Sequence, residues 1–277
     1  MIFRYMSESK DIAKKIRKKI IETGAGTSAA SHFGGSLSAA DILAVLYGGV
    51  LKYDTANPTK EERDRFILSK GHSCLVFYCA LNIAGFISDE ELATNYQKDG
   101  GYLLAHPHKN IEKGIECSTG SLGQGLSFGI GQAIALKRSE SPARVYVLLG
   151  DGECNEGSCW EAFMSAAQFK LDNIVAIVDC NGFQSDGSTK EIMDVDLAGG
   201  VKAMGWHVIE VDGNDTDALE AAFAEAKTVK GKPTAIIART VKGKGVSFME
   251  NTHVWHHGKM NKKQVQQALN EVNDGNQ

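Results

Sequence analysis

The sequence predicts an α/β protein built on a doubly wound, mostly parallel sheet with helices on both faces. Four near-continuous apolar runs, at residues 145–149, 174–178, 207–211 and 234–238, have the composition of strands covered on both faces. Helical segments fall between them at 157–169, 194–204 and 216–228, and such alternation implies parallel strands joined by right-handed crossovers. The length of 277 residues suits one large α/β domain or two smaller ones, at about 150 residues each.

The elements before the first of these strands follow in order. Residues 7–23 place Ile12, Ile16, Ile20 and Ile21 at helical spacing among charged residues, an amphipathic helix with one buried stripe. Residues 24–38 are rich in Gly, Ser and Ala and carry His32, and a helix follows at 39–47 with a loop at 51–58. Residues 66–68 are a short apolar strand, stopped by Ser69-Lys70-Gly71-His72, and 74–84 continue as a buried helix. Residues 100–120 have no sustained period and predict a long irregular loop, a feature that is usually functional in a compact domain. At the other end, 259–277 reads as a polar helical tail that frays, so 1–258 is expected to form the binding domain.

Composition narrows the function. Hydrophobic residues at 43% and charged residues at 23% exclude disordered, collagen-like and coiled-coil proteins. A net charge of −4 points to neither a nucleic-acid nor a membrane partner. Thirty Gly against four Pro, clustered between apolar runs, indicate turns where the backbone must approach something closely. The six Cys form no C-x-x-C pair, and Met1 is followed by Lys10, Lys14, Lys15 and Arg17 rather than an apolar leader, so a cytoplasmic location with free thiols is expected. Cys154 and Cys159 read as small buried fillers.

Gly150-Asp151-Gly152 directly follows one strand and precedes a helix, where bare backbone and free N–H groups suit a phosphate. A carboxylate in that position repels a phosphate unless a cation lies between, and its hard oxygen suits Mg²⁺ or Ca²⁺. Asn181-Gly182-Phe183 ends the next strand. Neighbouring strands lie about 4.8 Å apart, so the Asp151 carboxylate and the Asn181 amide oxygen can share one ion. Either motif alone is an ordinary turn; the pair on successive strand ends is far more specific. A dinucleotide site fails because Asn155 stands at the third glycine position and no acidic residue ends a second strand at the required distance.

These residues resemble a known family. The span from Gly150 to Asn181 is similar to the thiamine diphosphate motif, and residues 148–186 resemble transketolase, as do the segments LSKGH at 68–72, TGSLGQG at 119–125 and His106-Pro107. The resemblance runs from about residue 12 to about residue 259 and covers only the diphosphate-binding domain, which implies the thiamine diphosphate-binding fold. It implies that Asp151, Asn181 and the Phe183 carbonyl hold Mg²⁺ or Ca²⁺. It further implies that Gly152 contacts the diphosphate, that Lys70, His72, Gly120, Ser121 and Leu122 contact the cofactor, and that Lys242 and His256 close over it. His257 stands where the family has glycine, which leaves His253 and His257 as alternatives to His256. His32 and His106 match histidines that contact the sugar, and with His256 they form the expected catalytic set. Imidazole suits that task because ketol transfer moves protons near neutral pH. Glu156 matches a glutamate near the interface that links two cofactor sites, although a carboxylate at a helix N-terminus has that position anyway.

The resemblance implies a transketolase that moves a two-carbon ketol unit from a ketose phosphate to an aldose. The family's carboxylate that activates the aminopyrimidine lies on a separate domain, which would need roughly 150 further residues. A partner polypeptide carrying the pyrimidine-binding and C-terminal domains is therefore expected, in an α2β2 assembly on sugar phosphates. Subunits of a 1-deoxyxylulose-5-phosphate-synthase-like or 2-oxo-acid-dehydrogenase-like enzyme are the alternatives of the same class, and a non-catalytic cofactor-binding module is the alternative of another.

Overall fold

Five parallel strands form one sheet in the computed structural model, which describes residues 2–274, with side chains from residue 8 onward. The strands are β1 (Arg65–Leu68), β2 (Val145–Gly150), β3 (Ile174–Cys180), β4 (His207–Asp212) and β5 (Thr234–Arg239), in spatial order β1-β2-β3-β5-β4. Around them lie α1 (Ile2–Ala25), α2 (Gly34–Ser38), α3 (Ala40–Val45), α4 (Cys74–Ala84), α5 (Asp89–Asn95), α6 (Gln124–Arg138), α7 (Gly157–Gln168), α8 (Thr189–Ile192), α9 (Leu197–Ala203), α10 (Thr216–Thr228) and α11 (Lys262–Asp274). None of these helices is long and apolar enough to cross a membrane.

The central strands are apolar throughout because successive side chains serve opposite cores. Tyr146, Leu148, Val175 and Ile177 pack with α1, α3, α4 and α10, whereas Val145, Val147, Leu149, Ile174, Ala176 and Val178 pack with α6, α7 and α9. The sheet is doubly wound, as the alternation of apolar runs and helices predicts. Gly150 pairs with Asp179, so Asp151 and Asn181 leave the sheet at the same edge.

Four local expectations change. The run at 207–211 is not covered on both faces: β4 is the sheet edge, and Glu210 and Asp212 are exposed. The helix expected at 194–204 begins only at Leu197, because the Asp196 side chain accepts from the Gly199 N–H at 2.9 Å and starts α9 there, and the short α8 lies before the expected segment. Residues 124–138 carry no helix in the sequence reading, yet α6 runs through them. Its Gly129 lies so close to β2 that a Cβ there would sit 2.6 Å from Val147 Cγ2. The tail is no frayed end. In α11, Ala268 and Val272 are buried, Asn273 accepts from Lys14 Nζ at 2.6 Å, and Glu271 holds Ser247 at 2.7 Å. Residues 275–277 of that tail lie outside the described residues.

Candidate functional site

A pocket opens at the carboxyl ends of β1, β2 and β3, where ligands bind in open α/β sheets. Its lining includes Lys70, His72, Leu122, Asp151, Gly152, Asn181, Phe183, Lys242 and His256, so nine of the expected site residues converge. Asp151 spans the two strand ends: Oδ1 accepts from Gly152 N at 2.9 Å and Oδ2 from Gly182 N at 2.7 Å. Burial, and then the nearby charge of Asp179, push its carboxyl up to about 6. Asn181 directs Oδ1 toward Phe183 N at 3.1 Å, and the Phe183 carbonyl accepts from Lys242 Nζ at 3.3 Å.

Lys242 is almost fully buried, and its other partners are the Gln184 carbonyl at 3.0 Å and His256 Nδ1 at 3.2 Å. Burial and the charge of Lys70 lower its ammonium to about 8. Lys70, by contrast, is ion-paired with Asp179 and donates to the Gly35 carbonyl at 2.9 Å. Glu153 fixes the neighbouring loop, accepting from Gly123 N and Gly150 N at 3.0 Å each and from Ser69 Oγ at 2.5 Å.

Beside this lies a cluster of imidazoles. The His32 ring centroid is 5.3 Å from His72, 6.3 Å from His106, 5.3 Å from His256 and 4.4 Å from His257, and His72 is 5.2 Å from His256. Five histidines from four separate segments thus meet at one place. Burial, followed by repulsion from His257, lowers His32 to about 3, and burial with Lys242 lowers His256 to about 4. His72 is lowered as well, by burial and then Lys70. These three rings are neutral at physiological pH.

The three C-terminal histidines are placed differently. His256 bonds Lys242 and lines the pocket, His257 stacks beside His32, and His253 is exposed, its carbonyl accepting from His256 N at 2.7 Å. Gly120 lies against His106: at its φ of 151°, a Cβ would fall 3.2 Å from His106 Cδ2. Ser121 is exposed at the rim, and Glu156 packs on Gly123 at the start of α6, outside the lining. Sequence reasoning missed Gly35, Glu153, Asp179, Gln184 and Ser185. For Asp179 a signal existed, a carboxylate inside an apolar run two residues before Asn181.

The residues fit an anion bridged by a hard cation. Asp151 is a buried carboxylate whose oxygens meet only main-chain N–H groups, and Lys242 is a buried ammonium with no carboxylate partner among the described residues. Ser73 Oγ and Thr119 Oγ1 are buried beside the pocket residues with no partner among the described residues. One carboxylate, one amide and one carbonyl oxygen make a donor set suited to Mg²⁺ or Ca²⁺.

Comparison with known proteins gives matches over nearly the whole chain. The family described as "Transketolase, thiamine diphosphate binding domain" matches residues 9–273. The chain is 43% identical over 263 residues to one of the subunits of apulose-4-phosphate transketolase from Actinobacillus succinogenes, covering 95% of each chain. It is 40% identical over 261 residues to a 6-deoxy-6-sulfo-D-fructose transketolase subunit of a Clostridium species, covering 94% of each. Human transketolase is 40% identical over 268 residues, but the chain spans only 42% of its length. The solved transketolase of Leishmania mexicana superposes with a TM-score of 0.90 at 32% identity, over 97% of this chain and 42% of that one.

Proposed function

Because the chain belongs to the transketolase family, matching its thiamine diphosphate binding domain, we propose that it is the diphosphate-binding subunit of a two-chain transketolase. The enzyme moves a two-carbon ketol unit from a ketose phosphate to an aldose acceptor. The observation that carries this reading is the convergence of Asp151, Asn181, Lys242, His72 and His256 on one pocket, with His32 and His106 beside them, in a chain that spans 42% of a single-chain relative. Two subunit-sized relatives are named for sugars with an anionic phosphate or sulfonate, which supports an anionic sugar here. The rest of the catalytic apparatus belongs to a partner polypeptide, in an α2β2 assembly with twofold symmetry. Six buried free thiols support a cytoplasmic location.

In this reading Asp151, Asn181 Oδ1 and the Phe183 carbonyl would hold Mg²⁺ or Ca²⁺, and the amides around Gly152 would meet the diphosphate. Lys70, His72, Gly120, Ser121, Leu122 and Lys242 would line the remaining contacts, with Glu156 at the approach of the second subunit. Thiamine diphosphate, when bound, supplies a carbon nucleophile for breaking and making the carbon–carbon bond beside a carbonyl. The protein's part is to hold charge and move protons. Lys242 offsets the negative charge of an anion at neutral pH. His32, His106 and His256 would face the sugar's hydroxyl and carbonyl oxygens. A neutral ring can accept a proton from a hydroxyl at one nitrogen and donate to an oxygen from the other.

The test is reconstitution: assay the purified chain with thiamine diphosphate, Mg²⁺, a ketose phosphate and an aldose, then repeat with the candidate partner. Turnover that appears only on adding the partner supports the proposal. Silence with every partner would favour a non-catalytic binding module.

A further inference from the structure

Asp179 carries none of the roles above, yet it is fully buried on the face of β3 that Val175 and Ile177 present to the core. A carboxylate there is costly unless every oxygen is paired. Four segments supply its donors: Ser38 Oγ from the end of α2 at 2.6 Å, Lys70 Nζ after β1, Thr240 Oγ1 after β5, and Asn181 Nδ2 at 3.3 Å.

We propose that Asp179 is a positioning residue that fixes which end of the Asn181 amide faces the pocket. The inference rests on the metal-binding role proposed for Asn181. An ionised carboxylate only accepts hydrogen bonds, so the end of the amide toward it must be the NH₂ group. Ser38 reinforces this choice. Its hydroxyl hydrogen is given to Asp179, which leaves its lone pairs to accept from Asn181 Nδ2 at 3.4 Å. Oδ1 is thereby turned toward Phe183 N and the pocket. A neutral amide at position 179 offers both donor and acceptor and makes no such selection. A flipped Asn181 would aim two N–H groups at the cation, removing one ligand and adding repulsion.

The experiment measures, by calorimetry on the full chain with thiamine diphosphate present, the Mg²⁺ concentration giving half-maximal cofactor binding. Thermal unfolding of each variant is followed in parallel. Asp179→Asn raises that concentration about 10-fold to 100-fold, the usual cost of losing a residue that orients a metal ligand. The double variant Asp179→Asn with Asn181→Asp returns it to near the wild-type value, because a carboxylate at 181 presents oxygen whichever way it turns. A merely structural role would not be rescued in this way. An unchanged Mg²⁺ requirement in Asp179→Asn overturns the proposal, as does an increase that the double variant fails to reverse. If Asp179→Asn does not fold, Ser38→Ala removes only a hydroxyl from the same cluster. A several-fold rise then supports the proposal, and no change overturns it. Wild-type chain without any Mg²⁺-dependent cofactor binding overturns both this inference and the functional reading beneath it.

Discussion

The two halves of the pocket are held in opposite ways. On the carboxylate side, Asp151, Asn181, Asp179, Glu153 and Lys70 are buried and pinned by hydrogen bonds to main chain and to each other. On the imidazole side five rings approach within 4.4–6.3 Å of His32 or His72, and the one protein hydrogen bond described for their nitrogens joins His256 to Lys242. The first half is a fixed arrangement of charge. The second leaves its donors and acceptors for a ligand. A bound diphosphate and cation need immobile counter-charges, whereas a sugar passing through needs groups free to exchange protons.

This contrast is broken most directly by Asp151→Ala, which removes one of the two side chains that offer oxygen to a cation. Metal-dependent binding of thiamine diphosphate should be abolished in calorimetry. Wild-type affinity in the variant would remove the metal site from the carboxylate side.

The next largest effect lies on the imidazole side. His32→Ala and His106→Ala should each lower kcat/KM of the reconstituted enzyme by about 100-fold or more, the scale of a positioned proton-transfer group. Cofactor affinity should stay within a few-fold. Loss of cofactor binding without a separate kinetic defect would move both residues to the carboxylate side.

The smallest effect is on stability against pH. His32 titrates at about 3 in the folded chain against an ordinary value of about 6.5. Between those values the unfolded chain binds more protons, so this contribution is fully present above pH 6.5 and is lost as pH falls toward 3. Asp151 acts in the opposite sense in the metal-free chain. Its carboxyl is raised to about 6, so the folded state holds the extra proton and gains stability as pH falls below that value. Thermal unfolding in chelator from pH 7.5 to pH 5 should show His32→Asn losing less stability on acidification than wild type. An equal loss would mean that His32 is not held neutral by its neighbours.

How much of this was legible depends on where each residue's partners lie. Gly150-Asp151-Gly152 and Asn181 announce themselves because their strands and turns are contiguous in sequence and the strands are neighbours in space. Asp179 and Glu153 do not, since each answers to donors 30 or more residues away, such as Ser38, Lys70, Ser69 and Gly123. The site roles of His32, His72, His106 and His256 came from resemblance, not from spacing, and His257, expected only as an alternative to His256, lies beside His32 as well. The sequence reading made no assignment for α6, where Gly129 lets the helix touch β2. In α11 the buried face rests chiefly on Ala268 and Val272, two small residues among Lys, Gln and Asn, too faint a stripe to distinguish docking from fraying.

In the function proposed above, this chain alone completes the diphosphate and cation half of the site but not the catalytic whole. One calorimetric titration of the purified chain with thiamine diphosphate, in Mg²⁺ and then in excess chelator, tests it, with ketol transfer assayed on the same sample. The expected result is binding that chelator abolishes, with no turnover. Binding indifferent to chelator, or turnover by the single chain, would contradict it.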